Sequence, residues 1–229
     1  MRDARTSHAA AAVPVRMFRS DVLEALTHVQ PWVPHVLYVP VVLACLWLAP
    51  TAPAVTALLF AAGLVVWSLA EYLIHRFVFH WPDDIMNETH AVVESLAPGE
   101  AAIPAMPSWK HLVYFIGHGV HHVAPSEPTR LVMPPGASIP LAFLFYGVFR
   151  VLFGPATLGL FAGFATGYLA YDTIHYAVHH QGMPTRWGRY LKKRHARHHF
   201  VDADEDYGVS SPVWDLVFGT FSRPKRARG

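Results

Sequence analysis

Eleven of the sixteen histidines in this 229-residue chain fall in four short runs. His75 and His80 lie in HRFVFH, and His118, His121 and His122 in HGVHH. His175, His179 and His180 lie in HYAVHH, and His195, His198 and His199 in HARHH. Neutral imidazole is a common ligand for zinc, iron and copper. One ion takes about four to six ligands, so the set suits two metal ions held close together. A dimetal centre of imidazoles in an apolar chain points to oxidation chemistry on a lipid.

The spacings fit helices. Residues three and four apart share a helix face. His175 and His179 are four apart. His118, His121 and His122, like His195, His198 and His199, follow a 0, +3, +4 pattern. His75 and His80 are five apart, about 140° around an ideal helix, so that pair converges only where the helix ends or loosens. Trp81-Pro82, directly after, favours an ending. His180 points about 100° away from His179 and is read as facing the substrate or supporting a ligand from behind. His8, His28, His35, His90 and His111 stand alone and are read as non-ligands.

Two carboxylates sit one turn before ligands: Glu71 before His75, and Asp172 before His175. Both lie at the inner ends of apolar helices, where an uncompensated charge is costly. Each can accept a hydrogen bond from the far ring nitrogen of its histidine and fix the tautomer. An interfacial carboxylate reaching water and a direct ligand are the competing readings. Tyr168, Tyr171 and Tyr176 are read as packing around these histidines.

Four apolar runs must position the motifs: Val33–Pro50, Pro53–Ala70, Ala137–Phe153 and Pro155–Tyr171. Each is roughly 17–18 residues, just enough for a hydrocarbon core of about 30 Å. Pro50, Pro53 and Pro155 break them into two tight hairpins. The expected fold is an all-α membrane protein with four transmembrane helices in two hairpins. Residues 81–117 and those from Gln181 onward form a cytoplasmic helical cap over the histidines. Trp32, Trp47 and Trp81 fall near the expected interfaces.

Arg2, Arg5, Arg16 and Arg19 precede the first run, and Arg76, Lys110 and Arg130 lie between the second and third. Arg186, Arg189, Lys192, Lys193, Arg194, Arg197, Arg223, Lys225, Arg226 and Arg228 follow the fourth, and only Arg150 lies near the opposite side. By the positive-inside rule both termini and all four histidine runs face the cytoplasm. The membrane is a bacterial inner membrane or, in a eukaryote, the endoplasmic reticulum. Pro155 to His180 spans about 39 Å of helix, so the fourth helix emerges from the bilayer carrying its histidines.

The hydrophobic fraction is 53% and only 15% of residues are charged, too apolar for an ordinary soluble domain. Net charge of +2 gives no nucleic-acid footprint. The single cysteine, Cys45, excludes an internal disulfide and a Cys-rich zinc module. No cleavable signal peptide is expected. The chain reads as one domain over 1–229, with a core at about 58–221 and an N-terminal cytoplasmic segment at 1–31. The basic run Lys192, Lys193, Arg194 and Arg197 reads first as a topology signal, then as a contact for anionic headgroups or an acidic electron donor. The acidic stretch Asp202, Asp204, Glu205 and Asp206 reads as a solvated loop, or as the balance to that run.

The order HxxxxH, HxxHH, HxxxH, HxxHH resembles the membrane fatty acid hydroxylase superfamily, which also holds sterol desaturases. HGVHHVAPSEPTRLVMPP, YDTIHYAVHH and YGVSSPVWDLVFGT extend the likeness, most nearly to fatty acid 2-hydroxylases. The resemblance covers roughly Leu58 to Phe221. It implies ten ligands: His75, His80, His118, His121, His122, His175, His179, His195, His198 and His199. It further implies two metal ions, iron for activity with zinc able to occupy the purified protein, and O2 as co-substrate. The implied reaction is 2-hydroxylation of a fatty acid or of a sphingolipid N-acyl chain. Some family members carry an N-terminal cytochrome b5 domain. None is expected here, so electrons come from a separate cytochrome b5-like or ferredoxin-like donor. The interval from His80 to His118 looks longer than in the nearest relatives, which leaves the substrate open. A sterol or carotenoid oxidase or desaturase fits the same ligands. A metal transporter or sensor fits less well, because transporters place ligands near the bilayer midplane.

Overall fold

The computed structural model describes residues 15–80 and 82–222. Arg2, Arg5, His8, Trp81, Arg223, Lys225, Arg226 and Arg228, assigned above to the membrane face, the lone histidines or a helix end, lie outside the described residues. Among those described, regular structure is helical apart from one isolated bridge between Arg16 and Ala101. The elements begin with α1 (Asp21–Thr27), α2 (Val33–Leu48) and α3 (Pro53–Ile74), and α3 runs on into a π-turn, His75–Phe79. Next come α4 (Asp83–Ser95), α5 (Trp109–Tyr114), a second π-turn (Phe115–Gly119) and α6 (Val120–Val123). The chain then forms α7 (Pro135–Phe153), α8 (Thr157–His180), α9 (Arg186–Phe200) and α10 (Val213–Phe218).

Prolines open the long helices, at the first position of α3 and of α7, where the missing N–H would have no partner anyway. Gly154, at φ 54°, turns the chain from α7 to α8, a conformation glycine adopts freely. The Thr157 hydroxyl donates to the carbonyl of Phe149 at 3.0 Å and of Gly154 at 2.8 Å, closing the hairpin.

Two helical stretches, Pro53–Phe79 and Pro135–His180, are long and apolar enough to cross a membrane. The second is the α7–α8 hairpin. The sequence favours four spans of similar length, but α2 is a shorter apolar helix of 16 residues. These helices are not a soluble core: Leu58, Phe143 and Val151 are 71%, 73% and 85% exposed. Such an apolar surface is a liability in water and needs no cover in lipid. The chain is membrane-associated. Trp32 and Trp47 are exposed at the two ends of α2.

α3 and α8 form the central pair. A Cβ at Gly163 would lie 1.9 Å from the Phe60 carbonyl oxygen, and one at Gly63 would lie 2.1 Å from that of Leu160. Only glycine permits this backbone approach. Gly159, Gly163 and Gly167 recur every fourth residue along α8, and Gly167 packs on Trp67 of α3, the small-residue stripe of membrane helix pairs. The contacts run in the same direction along both helices, so the pair is parallel. Its two C-terminal ends lie side by side, one bearing His75 and the other His175. α2 crosses them in the opposite sense, with His35 2.9 Å from Thr173 and Tyr38 edge-on to Tyr168.

Candidate metal centre

The structure brings the ten histidines of the four-part pattern into two groups of five. His75, His80, His118, His122 and His198 form one, with ligand-capable atoms all within 4.8 Å of one another. His121, His175, His179, His195 and His199 form the other on the same measure. Adjacent His121 and His122 divide between the groups, so one short helix joins them.

The π-turns explain the awkward spacing of the first motif. The His80 N–H donates to the His75 carbonyl at 3.1 Å, a bond spanning five residues rather than four. The wider turn brings positions five apart to one face, and the two rings sit 4.9 Å apart. The second motif enters its group through the same device, because His118 lies in the π-turn Phe115–Gly119. At the first motif the helix loosens over His75–Phe79 and then ends at His80, whose backbone is extended.

The ring nitrogens converge. His75 Nε2 lies 3.2 Å from His118 Nε2, and His198 Nε2 lies 3.0 Å from His80 Nε2. In the second group, His121 Nε2 is 3.1 Å from both His175 and His199, and His195 Nε2 is 2.7 Å from His179 and 3.1 Å from His199. His122 Nε2 is buried without a hydrogen-bond partner. A neutral imidazole nitrogen carries one proton or one lone pair, so five facing nitrogens cannot all be satisfied by bonds among themselves. A cation satisfies all five at once.

Two tautomers are fixed by the chain. His75 Nδ1 donates to the Tyr207 carbonyl, and His198 Nδ1 donates to the Glu205 carbonyl at 2.8 Å. A carbonyl only accepts, so the proton sits on Nδ1 and Nε2 is bare. Burial holds His198 down to about 4, and burial with like neighbours holds His118, His121, His122, His195 and His199 far below the usual histidine value. These rings are neutral at pH 7, the state that binds metal.

The carboxylates act differently from their sequence reading. Glu71 is buried but does not meet His75. It accepts the N–H groups of Val209 and Ser210 at 2.9 and 2.8 Å, together with the Ser210 hydroxyl. Asp172 is buried, with one oxygen unpartnered, and the Nδ1 of His175 likewise has no partner. At His75 the backbone carbonyl of Tyr207 replaces the expected carboxylate, because the C-terminal segment folds back against it. His180 stands outside both groups, 4.8 Å from the Tyr176 ring.

That segment is tied by a knot the sequence analysis missed. Asp215 accepts the N–H of Tyr207 at 2.9 Å and of Gly208 at 3.0 Å, the Thr220 hydroxyl at 2.8 Å and Arg194 at 3.0 Å. Arg194 also pairs with Asp206 at 2.7 Å. Both are buried, so Arg194 is no surface topology signal and Asp206 no solvated loop residue. Glu205 pairs with Arg197 at 3.0 Å, so the acidic stretch does balance the basic run. Arg194 belongs to α9, so the knot couples His195 and His198 to the segment that orients His75.

Beside the histidines lies a cavity of about 450 Å³, within the usual range for small-molecule sites. His118, His121, His175 and Asp172 line it together with the apolar Trp67, Met133 and Leu141. Met17, Phe18, Leu23 and Leu26 of the N-terminal segment also line it.

A fatty acid hydroxylase family model matches residues 60–220. The dihydroceramide fatty acyl 2-hydroxylase FAH1 of Arabidopsis thaliana is 34% identical, covering 93% of this chain and 82% of its own length. The fatty acid 2-hydroxylase of Rattus norvegicus is 34% identical, covering 93% of this chain and 58% of its own. The ceramide very long chain fatty acid hydroxylase SCS7 of Saccharomyces cerevisiae is 36% identical, covering 89% and 49%. This chain therefore spans about half the length of the rat and yeast relatives. The solved structure of Scs7p, in which only the hydroxylase domain is visible, superposes with a TM-score of 0.75 at 35% identity, covering 89% of this chain and 70% of that one.

Proposed function

This chain belongs to the fatty acid hydroxylase family, and from that premise we propose that it is an O2-dependent dimetal monooxygenase that hydroxylates C2 of a lipid acyl chain. The acyl chain is that of a free fatty acid or the N-acyl chain of a sphingolipid. The observation that carries the reading is the pair of five-nitrogen groups at the emerging ends of two parallel apolar helices, beside a largely apolar cavity.

His75, His80, His118, His122 and His198 hold one ion, and His121, His175, His179, His195 and His199 the other. The all-imidazole donor set accepts iron or zinc, and the redox reaction requires iron. When bound, the iron pair supplies reductive activation of O2, so that one oxygen atom enters a C–H bond and the other leaves as water, with two electrons and two protons consumed. The protein's part is orientation and exclusion. The carbonyls of Tyr207 and Glu205 hold His75 and His198 with Nε2 forward. Glu71 and Asp215 accept the backbone N–H groups of residues 207–210, the segment next to those carbonyls, and so support the ligands at one remove. Asp172 faces the cavity next to His175. Apolar walls at Trp67, Leu141 and Met133 receive the chain and keep water out.

The electrons come from a separate cytochrome b5-like or ferredoxin-like donor. The outward face of α9, with Arg186, Arg189 and Lys193 exposed, suits an acidic partner. α2, α3, α7 and α8 form four spans, with both termini and the histidine groups on the cytoplasmic side, and residues 1–229 act as one domain. Expression in cells should yield a 2-hydroxy acyl species by mass spectrometry, dependent on O2, with about two metal ions bound per chain. Lipids unchanged under aerobic expression would sink the proposal.

A further inference from the structure

One charge on the cavity wall has no part in metal binding. Arg130 lies between α6 and α7, is buried, and lines the same cavity as His118, His121 and His175. Its Nη2 donates to Glu24 of α1 and lies 2.8 Å from His28 Nε2. Its Nε and Nη1 are buried and have no partner. Each buried donor left unpaired costs about 1–3 kcal/mol, so the free molecule carries two donors awaiting an acceptor. Glu24 also accepts the N–H groups of Met17 and Phe18 at 2.9 and 2.8 Å. Those two residues line the cavity, so one carboxylate joins the N-terminal segment to the guanidinium.

We propose that Arg130 is a substrate-contact residue whose unpaired Nε–H and Nη1–H donate to the carbonyl oxygen of the acyl head, while Glu24 closes the N-terminal segment over it. The proposal deepens the hydroxylase reading and rests on it. A carbonyl held at Arg130 seats the acyl head in the same cavity that His118, His121 and His175 line, with Trp67 and Leu141 supplying apolar wall for the tail.

Charge selects between two sources of that carbonyl. Burial alone raises the Glu24 carboxyl, but the Phe18 N–H and the Arg130 guanidinium outweigh it and hold the group below its usual value. Glu24 is therefore ionised, and Arg130 already has its counter-ion. An N-acyl amide fills the free donors without adding charge. A free carboxylate competes with Glu24 for the same guanidinium and is bound less well.

The test is equilibrium binding to metal-loaded, full-length protein in detergent without O2, which separates binding from turnover. Three probes share one C16 chain: an N-hexadecanoyl amide, hexadecanoic acid and a carbonyl-free hexadecyl ether. Arg130→Lys keeps the charge but loses the planar fork. It should weaken the amide about tenfold or more, the scale of a lost hydrogen bond to a charged group, with ether binding and metal content unchanged. Equal weakening of amide and ether, or no change in either, would overturn the assignment. Glu24→Gln should shift the ratio of acid to amide binding about fivefold toward the acid, following the lost counter-ion. An unmoved ratio would overturn the charge selection. If Arg130→Lys does not fold, the Glu24→Gln ratio still decides. A wild type that forms no hydroxylated product with O2 and reductant would sink the hydroxylase reading alone and leave the binding comparison standing.

Discussion

The two histidine groups are built from the same residue type in equal number, yet they are held in different ways. In the first, His75 and His198 are pinned by the carbonyls of Tyr207 and Glu205, in a segment whose N–H groups at Tyr207 and Val209 donate to Asp215 and Glu71. In the second, no ring is held by a backbone carbonyl among the described residues; the far nitrogens of His175, His195 and His199 are buried without a partner, as is that of His80 in the first, and His179 and His199 are half-buried, as His122 is in the first. Pinned rings lose little freedom when an ion binds, whereas loose rings must be ordered by it. Affinity is therefore expected to be stronger in the first group, and adaptability greater in the second.

Removing a ligand from either group gives the largest effect. His198→Ala and His179→Ala should each reduce product formation at least about a hundredfold, because neither ion works alone. Their metal contents sharpen the comparison. His179→Ala should lose one ion and keep the fold. His198→Ala removes a fully buried ring and should lose metal from both groups and melt earlier. Equal metal loss and equal melting in the two variants would erase the proposed difference.

Next in size is the knot. Asp215→Asn keeps the shape but weakens the bonds to Tyr207, Gly208 and Arg194. Outer partners of metal ligands are worth about 10–100-fold in affinity or activity. The loss should fall on the first group: metal titration should show one site weakened and the other unchanged. Two sites weakened together would mean that the segment supports both.

The two histidine groups were readable because helical phase is local. Offsets of three and four gather imidazoles whatever the rest of the chain does, and the likeness across the four motifs fixed their order. The offset of five from His75 to His80 was readable only as a demand that the helix end or loosen, and it does both: a π-turn, then an extended residue at His80. The glycine stripe of α8 stood in plain view as Gly159, Gly163 and Gly167, a signal that could have announced the parallel pair. What supports the ligands was not readable. Glu71 meets Ser210 across 139 positions and Arg130 meets Glu24 across 106, and no spacing rule reaches that far. Local reasoning instead gave Glu71 to its neighbour His75.

Partial chelation should separate the groups by rate. With a mild chelator, the ion of the second group should leave first, giving a half-loaded protein and a biphasic loss of metal. A single phase would contradict the unequal footing of the rings. Acid probes the same rings without metal. His198 is held down to about 4 by burial, with the Glu205 carbonyl partly opposing the shift. Between about pH 6.5 and 4 the unfolded chain takes up this proton and the folded one does not. Metal-free protein should then lose up to about 1.4 kcal/mol per pH unit for each such histidine, and stability should return above pH 6.5. A flat melting temperature across that window would show that the rings are not desolvated.

The smallest effect expected is at His180. It neighbours His179 in sequence, but one residue around a helix turns it by about 100°. Its ring lies against Tyr176 rather than toward either group. His180→Ala should leave two ions bound and keep activity within about twofold, since only a half-buried ring contact is lost. The result bears on the comparison because the adjacent pair His121 and His122 does divide between the two groups. If the pair His179 and His180 were used in the same way, removing His180 would cost an ion. The second group would then have six donors rather than five, and its looser hold would no longer follow from the missing ring partners.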